Sequence, residues 1–187
     1  MKSVILKNGA EFIIDKAKKE DAKDIIEYLN IIGGESENLL FGANGFPLST
    51  EQEEEVIESK NSSLTSCLMI GRIDGEVASV ISLTAPMRER IAHTCEIAIS
   101  VKKKFWNMGV GTSILKEVIE FARNTNIITV IHLGVRADNK NAIKLYEKLG
   151  FEKIGLYKNF FKIDGNYYDE ILMNLYLKKH PIFEERI

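Results

Sequence analysis

The chain has 187 residues, of which 45% are hydrophobic and 28% charged, with a formal charge of −2. That size and balance fit one globular domain over 1–187 with a real core, and exclude a disordered or fibrous chain. The charge leaves no basic excess for a nucleic-acid backbone, and no apolar stretch approaches the ~18 residues that a membrane span needs.

Taken in chain order, "VILKNGAEFII" is two apolar runs around Asn8-Gly9, a hairpin signal. After "KAKKED", with Asp21 as N-cap, "AKDIIEYLNII" has helical spacing and stops at Gly33-Gly34. Residues 33–50 form a long Gly-rich connection, and Thr50, as the cap, then precedes the short acidic-started helix "EQEEEVIES". "SLTSCLMIGRIDGEVASVISLTA" predicts a hairpin turning at Asp74-Gly75, and "RIAHTCEIAISV" a further strand. A helix is expected over 109–124, then a strand in "IITVIHLGV", whose apolar residues on both alternations suit a strand covered on both faces. "NKNAIKLYEKLG" is a helix with Gly150 as its C-terminal stop, and the last strands turn at Asp164-Gly165. The expectation is an α+β fold: a mixed sheet with helices on both faces.

Cys67 and Cys95 are too few for a disulfide framework, and His93, His132 and His180 are scattered, so no metal site is expected. The opening "MKSVILKNGAEF" lacks the apolar region of a secretory signal. A reduced, cytoplasmic protein is the expectation.

The most specific local stretch is "FWNMGVGTSIL". Gly109 and Gly111 precede a helix, but Ile114 stands where a dinucleotide fingerprint needs its third glycine, and no Gly-Lys-Ser/Thr follows. What remains is a strand, a glycine loop and a helix entrance. Free N–H groups and the helix dipole favour an anion there, and Lys102, Lys103 and Lys104 stand just before it.

"ISVKKKFWNMGVGTSIL", followed by "VRADNKNAIKLYEKLGFEKIG", resembles the GNAT N-acetyltransferase superfamily. The likeness runs from the first hairpin to the last. Gly109 and Gly111 fit the family's glycine loop, with Trp106 at its Arg/Gln position. Asn139, Ala142, Leu145, Tyr146, Gly150 and Phe151 stand where the family has them. The resemblance implies a mostly antiparallel sheet with one splayed parallel strand pair, and acetyl-coenzyme A as cosubstrate. Its pyrophosphate would lie on the amides of Asn107, Met108, Gly109, Val110, Gly111 and Thr112. Its pantetheine arm would pair along Ile99 and Val101, and Asn139 would bond the arm or simply cap its helix. A homodimer is also compatible with the family.

Transfer of an acetyl group needs no covalent enzyme intermediate. An amine of pKa near ~10 is protonated at neutral pH and requires a base before it attacks a thioester. Tyr146, where the family has its acid, is the candidate proton donor to the departing thiolate; packing on the inner face of its helix is the alternative. Glu96 is the candidate base, because a carboxylate inside a central strand needs a partner, a wet cleft or a role. It shares a face with the small residues Ala98 and Ser100. His93 and Asp169 are reserves. Glu35 and Glu37 in the Gly-rich connection are candidates to attract a cationic amine, and Phe41 and Phe46 to form a lid or a satellite core. The acceptor is a small-molecule amine or a peptide N-terminus. Two rivals stand beside this reading: a noncatalytic acyl-coenzyme A sensor and a nucleotide-phosphate module.

Overall fold

The computed structural model describes residues 1–177; His180, noted above, lies outside the described residues. Eight strands form one sheet: β1 (Lys2–Ile5), β2 (Glu11–Lys16), β3 (Cys67–Ile73), β4 (Glu76–Thr84), β5 (Thr94–Val101), β6 (Val130–Arg136), β7 (Glu152–Ile163) and β8 (Asn166–Tyr176). Their spatial order is β1-β2-β3-β4-β5-β6-β8-β7, and only β5 and β6 run parallel. The β3–β4 and β7–β8 hairpins turn through Asp74-Gly75 and Asp164-Gly165, with φ of 50° and 81°, then 48° and 82°. Positive φ at both central residues matches the right-handed twist of the paired strands, so these dipeptides fix the two registers.

Four helices cover the sheet: α1 (Ala22–Glu35), α2 (Thr50–Ser62), α3 (Val110–Asn124) and α4 (Lys140–Lys148). In α3 the buried Val110, Ile114, Leu115, Val118, Ile119 and Ala122 recur at three- and four-residue spacing, one continuous stripe against the sheet. Each large side chain so buried contributes roughly 1.5–3 kcal/mol relative to exposure. Together with Ile143 and Tyr146 of α4 they form the larger core. On the opposite face Ala22, Ile25, Tyr28 and Ile32 of α1 join Ile57 of α2 in a second core over Leu68, Ile70 and Val80. Cys67 and Cys95 are buried free thiols.

Two expectations change here. Helix α1 does not stop at Gly33-Gly34 but runs through them to Glu35. A Cβ at Gly33 would sit 2.2 Å from the Gly42 carbonyl oxygen, so this glycine admits the returning connection rather than ending the helix. The cap of α2 is Ser49 rather than Thr50: its hydroxyl accepts from Gln52 N, and Ser49 N donates back to Gln52 Oε1. Asp21 does precede α1, yet its carboxylate makes no cap bond to that helix. It accepts instead from Lys18 N and pairs with Arg72.

Glu53, on the inner side of α2, is 3% exposed, and its carboxyl has no partner among the described residues. Burial pushes it from 4.5 up to about 7. A folded value above the unfolded one means the unfolded chain ionises first, so stability falls as pH rises from about 4.5 to about 7 and levels above. Glu53→Gln is therefore expected to stabilise the protein by about 2–3 kcal/mol more at pH 8 than at pH 4. Denaturant unfolding at the two pH values reads this directly; an equal effect at both would place the ionised carboxylate in contact with water.

Candidate active site

The site begins with a break in pairing. β5 and β6 pair only at Thr94–Val130, Cys95–Ile131 and Glu96–His132, whereas β5 stays paired with β4 as far as Val101. Beyond Glu96 the two parallel strands part and leave a cleft. Lys102 N donates to the Ala78 carbonyl, so the alternation of an antiparallel ladder points the N–H and C=O groups of Ile99 and Val101 away from β4, into that cleft. Strand β5 thus offers a free edge inside the molecule. The Val101 carbonyl takes the indole N–H of Trp106 at 2.7 Å.

At the open end of the cleft the chain turns through Asn107 (φ 63°) and Gly109 (φ 100°) into α3. Gly109 is the N-cap residue, and its carbonyl accepts from Ser113 N. The N–H groups of Val110, Gly111 and Thr112 have no partner among the described residues. Three such donors at the positive end of a 15-residue helix form an anion cradle. A Cβ on Gly111 would lie 3.2 Å from Leu145 Cδ2 and 3.8 Å from Val101 Cγ2, so this glycine lets α3 close onto α4 and β5. Two of the three neighbouring lysines are already paired. Lys102 Nζ lies 2.6 Å from one Glu76 oxygen, and Lys104 pairs with the other. Those two ammonium groups hold the Glu76 carboxyl below its ordinary range.

Helix α4 borders the same face. Asn139 caps it, its Oδ1 accepting from Ala142 N at 3.2 Å, and its amide nitrogen has no partner among the described residues. Tyr146 is 8% exposed, its ring centroid 5.7 Å from that of Phe151. Its hydroxyl makes no hydrogen bond among the described residues, and burial raises the phenol to about 12. At neutral pH it carries its proton.

Across the sheet lies the other side of the cleft, carrying Glu96, Ala98 and Ser100. Glu96 is exposed and has neither ion pair nor hydrogen bond among the described residues. Ser100 Oγ accepts from Tyr28 OH at 3.1 Å, which ties α1 to the cleft-lining strand. Burial pushes the Tyr28 phenol well above its ordinary range.

A family model described as "Acetyltransferase (GNAT) family" matches residues 35–151, a span that contains the splayed strands, the glycine loop and α4. The chain belongs to the GNAT acetyltransferase family. It is 33% identical over 105 residues to the L-amino acid N-acetyltransferase AaaT of Escherichia coli, across 56% of this chain and 65% of that protein. It is 34% identical over 67 residues to the N-alpha-acetyltransferase RimI of Mycobacterium tuberculosis, across 36% and 40% of the two chains. The matched stretch is thus under two thirds of either relative's length. A GNAT-family acetyltransferase from Streptococcus pneumoniae superposes with a TM-score of 0.87 at 28% identity, over 89% of this chain and 99% of that one. YncA from Salmonella typhimurium, a putative acetyltransferase solved with acetyl-CoA, shares the fold with a TM-score of 0.79 at 21% identity, over 91% and 96%. The α+β expectation, with one splayed parallel pair, therefore holds for this GNAT chain.

Within the GNAT fold several site expectations change. The Glu35 carboxylate accepts from Lys103 N at 2.6 Å, which ties the end of α1 to the residues before α3. Glu37 is occupied by Arg136, which it meets at 3.2 Å. Arg136 also grips Asp138 through two bonds of 2.7 and 2.8 Å and lies 4.3 Å from the Tyr168 ring. It pins the 36–49 connection to the end of β6. Phe41 and Phe46, within that connection, pack edge to face with ring centroids 5.6 Å apart. Of the two reserves, only Asp169 has a side-chain partner among the described residues. His93 is exposed, and its carbonyl takes Thr129 N; Asp169 Oδ1 accepts from Asn159 N at the β7 irregularity. Among the described residues no His, Cys, Asp and Glu side chains gather as metal ligands do, and no helix is long and apolar enough to cross a membrane.

Reasoning from sequence missed two long-range contacts. For Arg136 there was no signal, since its partner Glu37 lies 99 positions away. For the approach of the Glu170 carboxylate to Gly134 the signal was a glycine inside an apolar strand, which often marks a close approach.

Proposed function

We propose that this protein is an acetyl-coenzyme A-dependent N-acetyltransferase acting on a primary amine, an α-amino acid or a peptide N-terminus being the leading acceptor classes, within one domain and without a metal. The observation that carries the reading is the internal free edge of β5 beside the unpaired N–H groups of α3. An extended amide-bearing chain ending in a pyrophosphate suits that pairing. The arm lies along Ile99 and Val101 as an added strand, the pyrophosphate on the loop from Asn107 to Thr112, and the Asn139 amide nitrogen donates to the arm. The names of AaaT and RimI support the acceptor classes.

The chain's own groups then divide the work. Glu96, directly or through water, takes a proton from the ammonium, and the freed amine attacks the thioester carbonyl. A cleft-facing N–H of β5 holds the developing oxyanion. Tyr146 donates its proton to the departing sulfur, and the proton released from the new amide nitrogen returns through solvent. Calorimetry tests the cradle: acetyl-coenzyme A should bind, with ATP far weaker. A preference for ATP would point to a nucleotide-phosphate module.

Glu96→Gln preserves shape and removes the base. Its rate at subsaturating amine should fall by about 10²-fold at neutral pH and recover partly at high pH, where free amine accumulates. A pH–rate profile superimposable on the wild type, at unchanged activity, would remove Glu96 from proton transfer.

A further inference from the structure

Glu170 of β8 sits directly opposite Arg136 of β6, where a cross-strand ion pair is the ordinary outcome. It does not form. Arg136 turns its guanidinium to Asp138 and Glu37, and the Glu170 carboxylate is left without a hydrogen bond or ion pair among the described residues. Instead the side chain leans across β6: a Cβ on Gly134 would lie 2.1 Å from Glu170 Oε1 and 2.4 Å from its Cδ. Gly134 is the space this carboxylate occupies. Two positions before Gly134 on the same strand, His132 is the register partner of Glu96, at the point where the cleft opens. The two carboxylates therefore stand on opposite banks of the splay, on the face away from Tyr146. Partial burial, and then the charge of Glu96, raise the Glu170 carboxyl. Lys60, the cation that feels the Glu96 charge, spends its ammonium on the Leu83 carbonyl and the Thr84 hydroxyl.

We propose that Glu170 is an acceptor-binding residue: its carboxylate, leaning over Gly134 to the β6 bank of the cleft, holds the ammonium group of a cationic amine opposite Glu96. Substrate selection then favours acceptors that arrive charged, and the ion enters a site the fold has left short of one positive charge. The proposal gives a substrate class to the cleft of the transferase reading and rests on that reading for the transfer step alone.

Binding is therefore tested apart from turnover. Amide NMR titrations with n-butylammonium chloride, and with 1-pentanol as its neutral isostere, are run on the wild type, Glu170→Gln and Gly134→Ala. The first variant removes the charge; the second keeps it but pushes the carboxylate off β6, and melting temperatures verify that both fold. In the wild type only the ammonium should shift the amides of Glu96, Ser100 and Gly134, and both variants should bind it about tenfold or more weakly. Unchanged affinity in the variants, equal shifts from the alcohol, or no saturable shift in the wild type would each overturn the proposal. For any amine that is acetylated, Glu170→Gln should raise KM about tenfold or more, with a much smaller fall in kcat. A loss confined to kcat would also overturn it. A wild type that acetylates no amine, yet binds the ammonium as stated, would sink the transferase reading and leave this one standing.

Discussion

Tyr146→Phe should lower turnover by about 10²–10⁴-fold, the contribution of a positioned general acid, while acetyl-coenzyme A affinity stays near the wild-type value. The substitution keeps the ring that packs 5.7 Å from Phe151 and removes only a hydroxyl without a partner among the described residues. Although the ring is buried, the hydroxyl oxygen itself is accessible, so a bound ligand can reach it. The phenol, raised to about 12, holds its proton at neutral pH and stands on the sheet face covered by α3 and α4, while Glu96 lies on the other. In the proposed mechanism acid and base are thus separated by the plane of the sheet, and the amine would lose its proton on one side while the sulfur gains one on the other. Unchanged turnover, with acetyl transfer shown to be rate-limiting, would assign Tyr146 to packing.

Thr112→Glu should reduce acetyl-coenzyme A affinity by at least about 100-fold, since a like charge set against a bound anion costs several kcal/mol. Thr112 is the third residue of α3, after Val110 and Gly111, where a carboxylate interacts favourably with the helix dipole. The melting temperature should therefore hold or rise as binding is lost, which separates repulsion from unfolding. Gly111→Glu would not separate them, because its Cβ enters the Leu145 contact at 3.2 Å. Thr112→Gln, neutral and similar in size, should keep most of the affinity. Calorimetry on both variants makes the comparison. Equal weakening by Glu and Gln would mean that the side chain blocks the site by bulk and that no anion rests there.

Features set by a few neighbouring residues are legible in the sequence. Asp74-Gly75 and Asp164-Gly165 mark their hairpins because each turn demands positive φ at two adjacent positions. Gly109 marks the start of α3 for a similar reason, at φ 100°. Asn139 can be read as a cap from the helical pattern that follows it, and its side chain makes the capping bond. Features set across the fold are not legible in this way. Gly33 looks like a helix stop, yet its reason is Gly42, nine positions on and brought back by the connection. Lys102 and Lys104 look free for phosphate, but the β3–β4 hairpin delivers Glu76 to both. Glu37 looks like a lure for an amine until β6 places Arg136 beside it. Charge in a sequence shows what must be compensated; the topology decides by whom.

The most direct test of acetyl transfer is free-thiol release on mixing the purified protein with acetyl-coenzyme A and a panel of L-amino acids, peptides with free N-termini and polyamines. Products are identified by mass spectrometry. Amine-dependent thiol release, matched one for one by an N-acetylated amine and suppressed in Tyr146→Phe, is the predicted result. Tight binding of acetyl-coenzyme A with no thiol release from any amine would contradict it, and the cleft would then be that of an acyl-coenzyme A sensor.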